Sequence, residues 1–147
     1  MKIIEDCKYA IHDISRTDLD AKNKLPRFNM PLELGIFIGC KKYLDADKSY
    51  IIFDKTEYRY QKFISDIAGQ DIRAHQNKPS IAVNKTRDYL RNVSRRTTIP
   101  SGNAIYTRFK KFNRNLPAIC KQLNWDDKNL NFMDYYYCIK AWLDVKT

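Results

Sequence analysis

A carboxylate stands where an apolar helix should begin. Residues 27–39 read RFNMPLELGIFIG, the entry and first turns of a buried helix. Asn29 suits a cap, and Pro31 suits a first-turn position, where its missing N–H costs nothing. Leu34, Ile36, Phe37 and Ile38 make the segment apolar nearly all round. Glu33 falls in its first turn, where a lone carboxylate is expensive unless it is paired or opens on a cleft. The plainer alternative is that Glu33 complements the helix dipole from the surface. Asp13 ends an apolar stretch over residues 8–15, as a second carboxylate or as an ordinary turn cap. Ser15 and Arg16 follow it. The planar guanidinium of Arg16 suits phosphate oxygens, although a solvated arginine gives the same sequence. Asn29 can orient Glu33. Tyr58 and Tyr60 offer rings on which a base can stack, or are simply half-buried aromatics. His12 and His75 are the only histidines, and nothing at metal-ligand spacing accompanies them, so no metal site is expected.

Asn29-x-x-x-Glu33-Leu34-Gly35, one helix after a strand ending in Asp13, resembles the motif of nucleoside deoxyribosyltransferases and of related bacterial TIR-like nucleotide-binding domains. The likeness covers roughly residues 7 to 75. It implies that Glu33 is catalytic, attacking or stabilising a ribosyl C1′, with Asp13 as a second carboxylate. Ser15, Arg16, Asn29, Tyr58 and Tyr60 are then expected to bind substrate. The implied ligand is a small-molecule nucleotide: NAD or a nucleoside enters as substrate, and no resident cofactor is expected. The implied activity is N-glycosidic cleavage in bacterial defence or signalling. Leu32 and Pro31 depart from the usual residues before the motif glutamate. Two rival functions stand beside this one. The same cleft would serve a non-catalytic nucleotide sensor, and the basic C-terminal helices would serve a nucleic-acid-binding module.

Positioning these residues requires a parallel sheet. Residues 8–15 and Ser49 to Asp54 read as strands, the second a continuous apolar run typical of a sheet buried on both faces. A helix over Pro31 to Tyr43 joins them as a right-handed βαβ crossover. In such sheets ligands bind beyond the carboxyl ends of the strands, where 13–16, 29–33 and 54–60 converge. Residues 2–6 read as the end of a helix, 63–67 as a short helix, and 71–75 as a third short strand. After Pro79 the sequence reads as helices: one over 80–93, one from Asn103 with a 4-3-4-3-4 apolar spacing, and one from about Leu130 to Val145. Pro117 should kink or split the second. The expected class is therefore α/β, flavodoxin-like or TIR-like with a reduced sheet. An α/β part spans residues 1–79, and a helical part spans 80–147 and packs on it. Domains of the resembled type open with further βα units, so the first strand is expected to keep an unpaired edge and the chain to self-associate.

Composition narrows the remaining classes. The chain has 147 residues and a formal charge of +10, and no apolar run approaches the span of a membrane. Acids near the start argue against a signal peptide and for a cytoplasmic protein. The four cysteines form no C-x-x-C pair and read as reduced, core-packed thiols. Residues 1–79 hold 14 Lys/Arg against 12 Asp/Glu, whereas residues 80–147 hold 13 against 5. Such asymmetry suits an anionic partner, a nucleotide or a nucleic acid, or a solvated helix face.

Overall fold

The computed structural model of the chain describes residues 2–22, 24–44 and 47–144. The chain divides into two compact units, Met1–Gly102 and Asn103–Thr147. The boundary read from sequence after residue 79 falls inside the first unit, because the helix that follows packs against the sheet.

In the first unit, helix α1 (Lys2–Asp6) leads into strand β1 (Tyr9–Asp13), helix α2 (Asn29–Tyr43) and strand β2 (Ser49–Asp54). Strand β3 (Ile72–Ala74) and helix α3 (Pro79–Ser94) complete it. The fold is α/β, with a three-stranded parallel sheet in the order β1-β2-β3. Strand β1 is therefore an edge, paired on one side with β2, Ile11 facing Ile51 and Asp13 facing Phe53. The pleat sends alternate residues to opposite faces. His12 and Tyr50 meet the Phe37 ring of α2 at 5.4 and 5.8 Å. On that same face Ile14, Leu34, Ile52 and Tyr60 form a buried cluster. Ile51 and Phe53 point the other way and are also buried, which explains the uninterrupted apolar run of β2.

Three features of the expected layout are corrected. The N-cap of α2 is Phe28, without a side-chain capping bond, so Asn29 is the first helical residue and Glu33 lies in the second turn. The helix also buries one face only: Leu34 and Phe37 are covered, while Leu32 is 65% exposed. Instead of one short helix over 63–67, two 3-10 turns occupy Arg59–Lys62 and Ser65–Ile67.

A buried lysine fixes the start of the chain to the sheet. Lys48, 7% exposed, donates to the carbonyls of Ile4, Glu5 and Cys7 at 2.8, 2.7 and 2.8 Å. It thereby closes the C-terminal end of α1, where a cation complements the helix dipole. Lys85 of α3 similarly donates to the Ala74 carbonyl at 2.8 Å. Arg87 donates to the Pro100 carbonyl at 2.9 Å. Part of the basic segment is thus engaged in holding α3 and its following loop. Where that loop ends, Gly102 approaches Asn84 so closely that a Cβ would lie 2.7 Å from its Cα, a contact only glycine permits.

The second unit is a pair of helices, α4 (Gly102–Gln122) and α5 (Phe132–Asp144). Phe112, Cys120, Cys138 and Trp142 form its core. Helix α4 is not split at Pro117. Phe112 and Leu116 before it, and Ile119 and Cys120 after it, all join that core, and their packing offsets the roughly 3 kcal/mol that an interior proline costs. Asn131 and Asp134 cap α5 reciprocally, each side chain accepting the other's backbone N–H at 3.0 and 3.1 Å. Cys120 and Cys138 are buried free thiols with sulfurs 3.9 Å apart, and burial pushes the Cys120 thiol up to about 11, which leaves it unreactive. Cys7 departs from the core-packed expectation: it lies in the turn between α1 and β1 and is exposed. Among the described residues no helix is long and apolar enough to cross a membrane.

Candidate functional site

The carboxyl ends of the three strands carry Asp13, Asp54 and, one residue beyond β3, His75. Each has a different fate. Asp54 is fully buried and accepts the Arg59 Nε–H at 2.8 Å and the Lys55 backbone N–H at 2.6 Å on one oxygen. The Arg59 Nη2 lies 2.7 Å from that oxygen and also donates to the Ile14 carbonyl at 2.8 Å. Its Nη1 reaches Asp18 at 3.4 Å, and Lys55 pairs with Asp18 as well. One guanidinium therefore ties the end of β2 to the loop that leaves β1. The stretch after Asp54 was expected to supply ring platforms; its arginine is the working residue instead.

Asp13 remains accessible. Its Oδ1 accepts the Ser15 backbone N–H at 2.9 Å and stands 3.4 Å from His75 Nε2. The His75 Nδ1 accepts the Asn77 backbone N–H at 3.0 Å, so the ring proton of the neutral form lies on Nε2, toward Asp13. Two cavities meet at this carboxylate. The larger, about 660 Å³, is lined by Asp13, Ser15, Arg16, Lys55, His75 and Lys78 among others. The smaller, about 420 Å³, is lined by Asp13, Arg16, Asn29 and Glu33, with Thr17 and Pro31.

Five of the seven residues singled out in the sequence thus share one cleft: Asp13, Ser15, Arg16, Asn29 and Glu33. Tyr58 and Tyr60 do not join them. Tyr60 is 6% exposed and belongs to the apolar cluster. Tyr58, in a left-handed conformation at φ 57°, is exposed, and both line a separate cavity with Gln70, Arg73 and Lys85. His75, Lys55 and Lys78 were missed. The signal for His75 was present, because it follows a strand end as Asp13 and Asp54 do. Reading β3 through residue 75 hid it inside the strand.

No protein-family model, curated protein or solved structure matches the chain. The chemistry of the cleft therefore rests on its own residues.

Electrostatics sets Glu33 beside a histidine that cannot easily charge. His12 is 4% exposed, and neither ring nitrogen has a hydrogen-bond partner. Burial pushes its imidazole below the ordinary value, and the nearby Glu33 carboxylate pulls the other way. Glu33 shares its cavity with Asp13, Arg16 and Arg27. Among the described residues no cluster of three His, Cys, Asp or Glu is disposed to hold a metal.

Two measurements check this arrangement. Arg59→Met leaves Asp54 buried without its cation and should lower unfolding stability by about 3–5 kcal/mol, read from urea midpoints. A change below about 1 kcal/mol would deny the pair its role. The second concerns pH. Well above 6.5 the His12 ring is neutral in the folded and unfolded chains alike. As pH falls through that value, the unfolded chain takes up a proton that the buried ring resists, so stability declines. His12→Leu should therefore lose less stability than the parent chain between pH 7.5 and about 5.5. Parallel melting curves with equal losses would place the acid sensitivity elsewhere.

Proposed function

We propose that this cleft binds a nucleotide or nucleoside and cleaves the bond between its ribosyl C1′ and the base, in the manner of the TIR-like and deoxyribosyltransferase-like proteins that the motif resembles. The observation that carries the reading is the convergence of Asp13 and Glu33, from β1 and α2, on one cavity that also holds Asn29 and Arg16. When the C1′–N bond breaks, its electron pair leaves with the base and positive charge grows on the ribosyl carbon. A preorganised carboxylate in a partly enclosed site lowers the energy of that charge. Glu33 takes this role. Helix α2 holds it on the cavity wall, near the desolvated His12.

Asp13 sits at the junction of the two cavities, suited to ribose hydroxyls or to guiding the water or acceptor hydroxyl that completes the transfer. Its orientation is fixed by the Ser15 N–H. NAD is the first substrate to test, and it enters as substrate, not as a resident group. A role in bacterial defence or signalling accompanies the resemblance.

The test is release of nicotinamide from NAD, measured for the parent chain and for Glu33→Gln. The substitution keeps shape and removes the charge. Turnover should fall by roughly two orders of magnitude, as with other lost electrostatic stabilisers, with the melting temperature unchanged or raised. Equal turnover in the two proteins contradicts the catalytic role of Glu33. Nucleotide binding without turnover in either protein would mark the cleft as a sensor.

A further inference from the structure

The larger cavity carries more positive charge than its own acids answer. Four cations line it: Arg16, Arg27, Lys55 and Lys78. Lys55 is held by Asp18, and Arg27 stands 3.9 Å from Asp20. Among the described residues neither Arg16 nor Lys78 has a carboxylate partner. Helix α3 also begins on this wall, with Pro79 and Ala82 among the lining residues. Its N-cap is Lys78, whose side chain makes no capping bond, and its first turn contains no acid.

That is an unusual start. The first turn of a helix leaves N–H groups without intrahelical acceptors and ends in partial positive charge. Caps are normally Ser, Thr, Asp or Asn, which answer those groups. Lys78 instead adds a cation to the positive end of a 16-residue helix. The complement this geometry lacks is an anion.

His75 gives an independent sign of the same deficit. Its side chain is 9% exposed and lies on the cavity wall. With Nδ1 accepting from Asn77, the proton of the neutral ring is on Nε2. That nitrogen has no hydrogen-bond acceptor within proper geometry, Asp13 being 3.4 Å away. Buried donors are normally satisfied, so this one, beside the Asp13 carboxylate but outside hydrogen-bond geometry, is under-satisfied.

We propose that the larger cavity is a phosphate subsite, formed by the N-terminus of α3 with Lys78 and Arg16, and that the cleft takes a phosphorylated nucleotide rather than a free nucleoside. The inference rests on the ribosyl reading of the smaller cavity and extends it. Asp13 and Arg16 line both cavities. A ribose held between Asp13 and Glu33 therefore directs its 5′ substituent toward Lys78. Arg16 spans the junction, where its fork suits phosphate oxygens. Lys78 acts as a point charge beyond it. Asp18 and Asp20 each face their own cation, and Asp13, the third acid of the cavity, lies at its junction with the smaller one.

The experiment is calorimetric titration of the 147-residue chain with three probes: ADP-ribose, adenosine and inorganic pyrophosphate. ADP-ribose should bind at least tenfold more tightly than adenosine, and pyrophosphate should displace it. Lys78→Ala and Arg16→Ala, both at exposed positions, should each weaken ADP-ribose and pyrophosphate by about tenfold, the loss of one charge-assisted contact. Lys78→Ala, which lies outside the smaller cavity, should leave adenosine binding and the melting temperature unchanged. Adenosine binding as tightly as ADP-ribose would overturn the phosphate subsite while leaving the ribosyl reading intact. Pyrophosphate binding that depends on Lys78, with no binding of either nucleoside probe, would support the subsite and count against the ribosyl reading. Pyrophosphate binding indifferent to both substitutions, or no binding of any probe, overturns the proposal.

Discussion

The buried contact between Asp54 and Arg59 is the constraint on which the cleft depends. Asp54 has no exposed surface, and an unpaired charge there would be prohibitive. Arg59 resolves that cost and uses its remaining donors on the Ile14 carbonyl and on Asp18. Those two acceptors belong to the chain that leaves β1. The same guanidinium therefore sets where Ser15 and Arg16 begin and how the following loop lies. A hydrophobic pair would hold the strands together as well. It would not orient a polar loop, because apolar contacts carry no direction.

Around that tie the site is layered by polarity. Apolar packing on one face of the sheet, through Ile14, Leu34, Ile52 and Tyr60, holds α2 against β1 and β2. This fixes the position of Glu33. Helix α3 packs against β2, and its start, just beyond β3, brings Lys78 to the cleft. Both cavities mix charges: Asp13, Arg16 and Arg27 line each, Glu33 adds a carboxylate to the smaller, and Lys55 and Lys78 add cations to the larger.

Much of this was legible in the sequence, and the reasons are physical. The continuous apolar run of residues 49–54 specified a strand buried on both faces, and β2 occupies those residues. The Asn29-to-Gly35 motif and the strand-end Asp13 converge because a βαβ unit brings strand ends and helix starts together. What failed depended on side-chain partners. Tyr60 reads as a polar-edged aromatic, yet it fills the gap between α2 and β2. Lys48 reads as a loop cation, yet three carbonyls accept from it. Arg59 reads as one charge among several, and only the spatial nearness of residues 14, 18 and 54 reveals its role. Pro117 reads as a breaker, because packing against a distant segment is invisible to a local rule. The division at residue 102 was missed for a related reason. Helix α3 has the composition of the helices after it but packs against β2.

The central claim is that ligand binds over the carboxyl ends of the three strands. Amide chemical-shift mapping during titration of the labelled chain with NAD tests it directly. The account predicts that the largest shifts fall on residues 13–16, 29–33 and 75–80. Shifts confined to α4 and α5, or spread without focus along the basic segment, would contradict it.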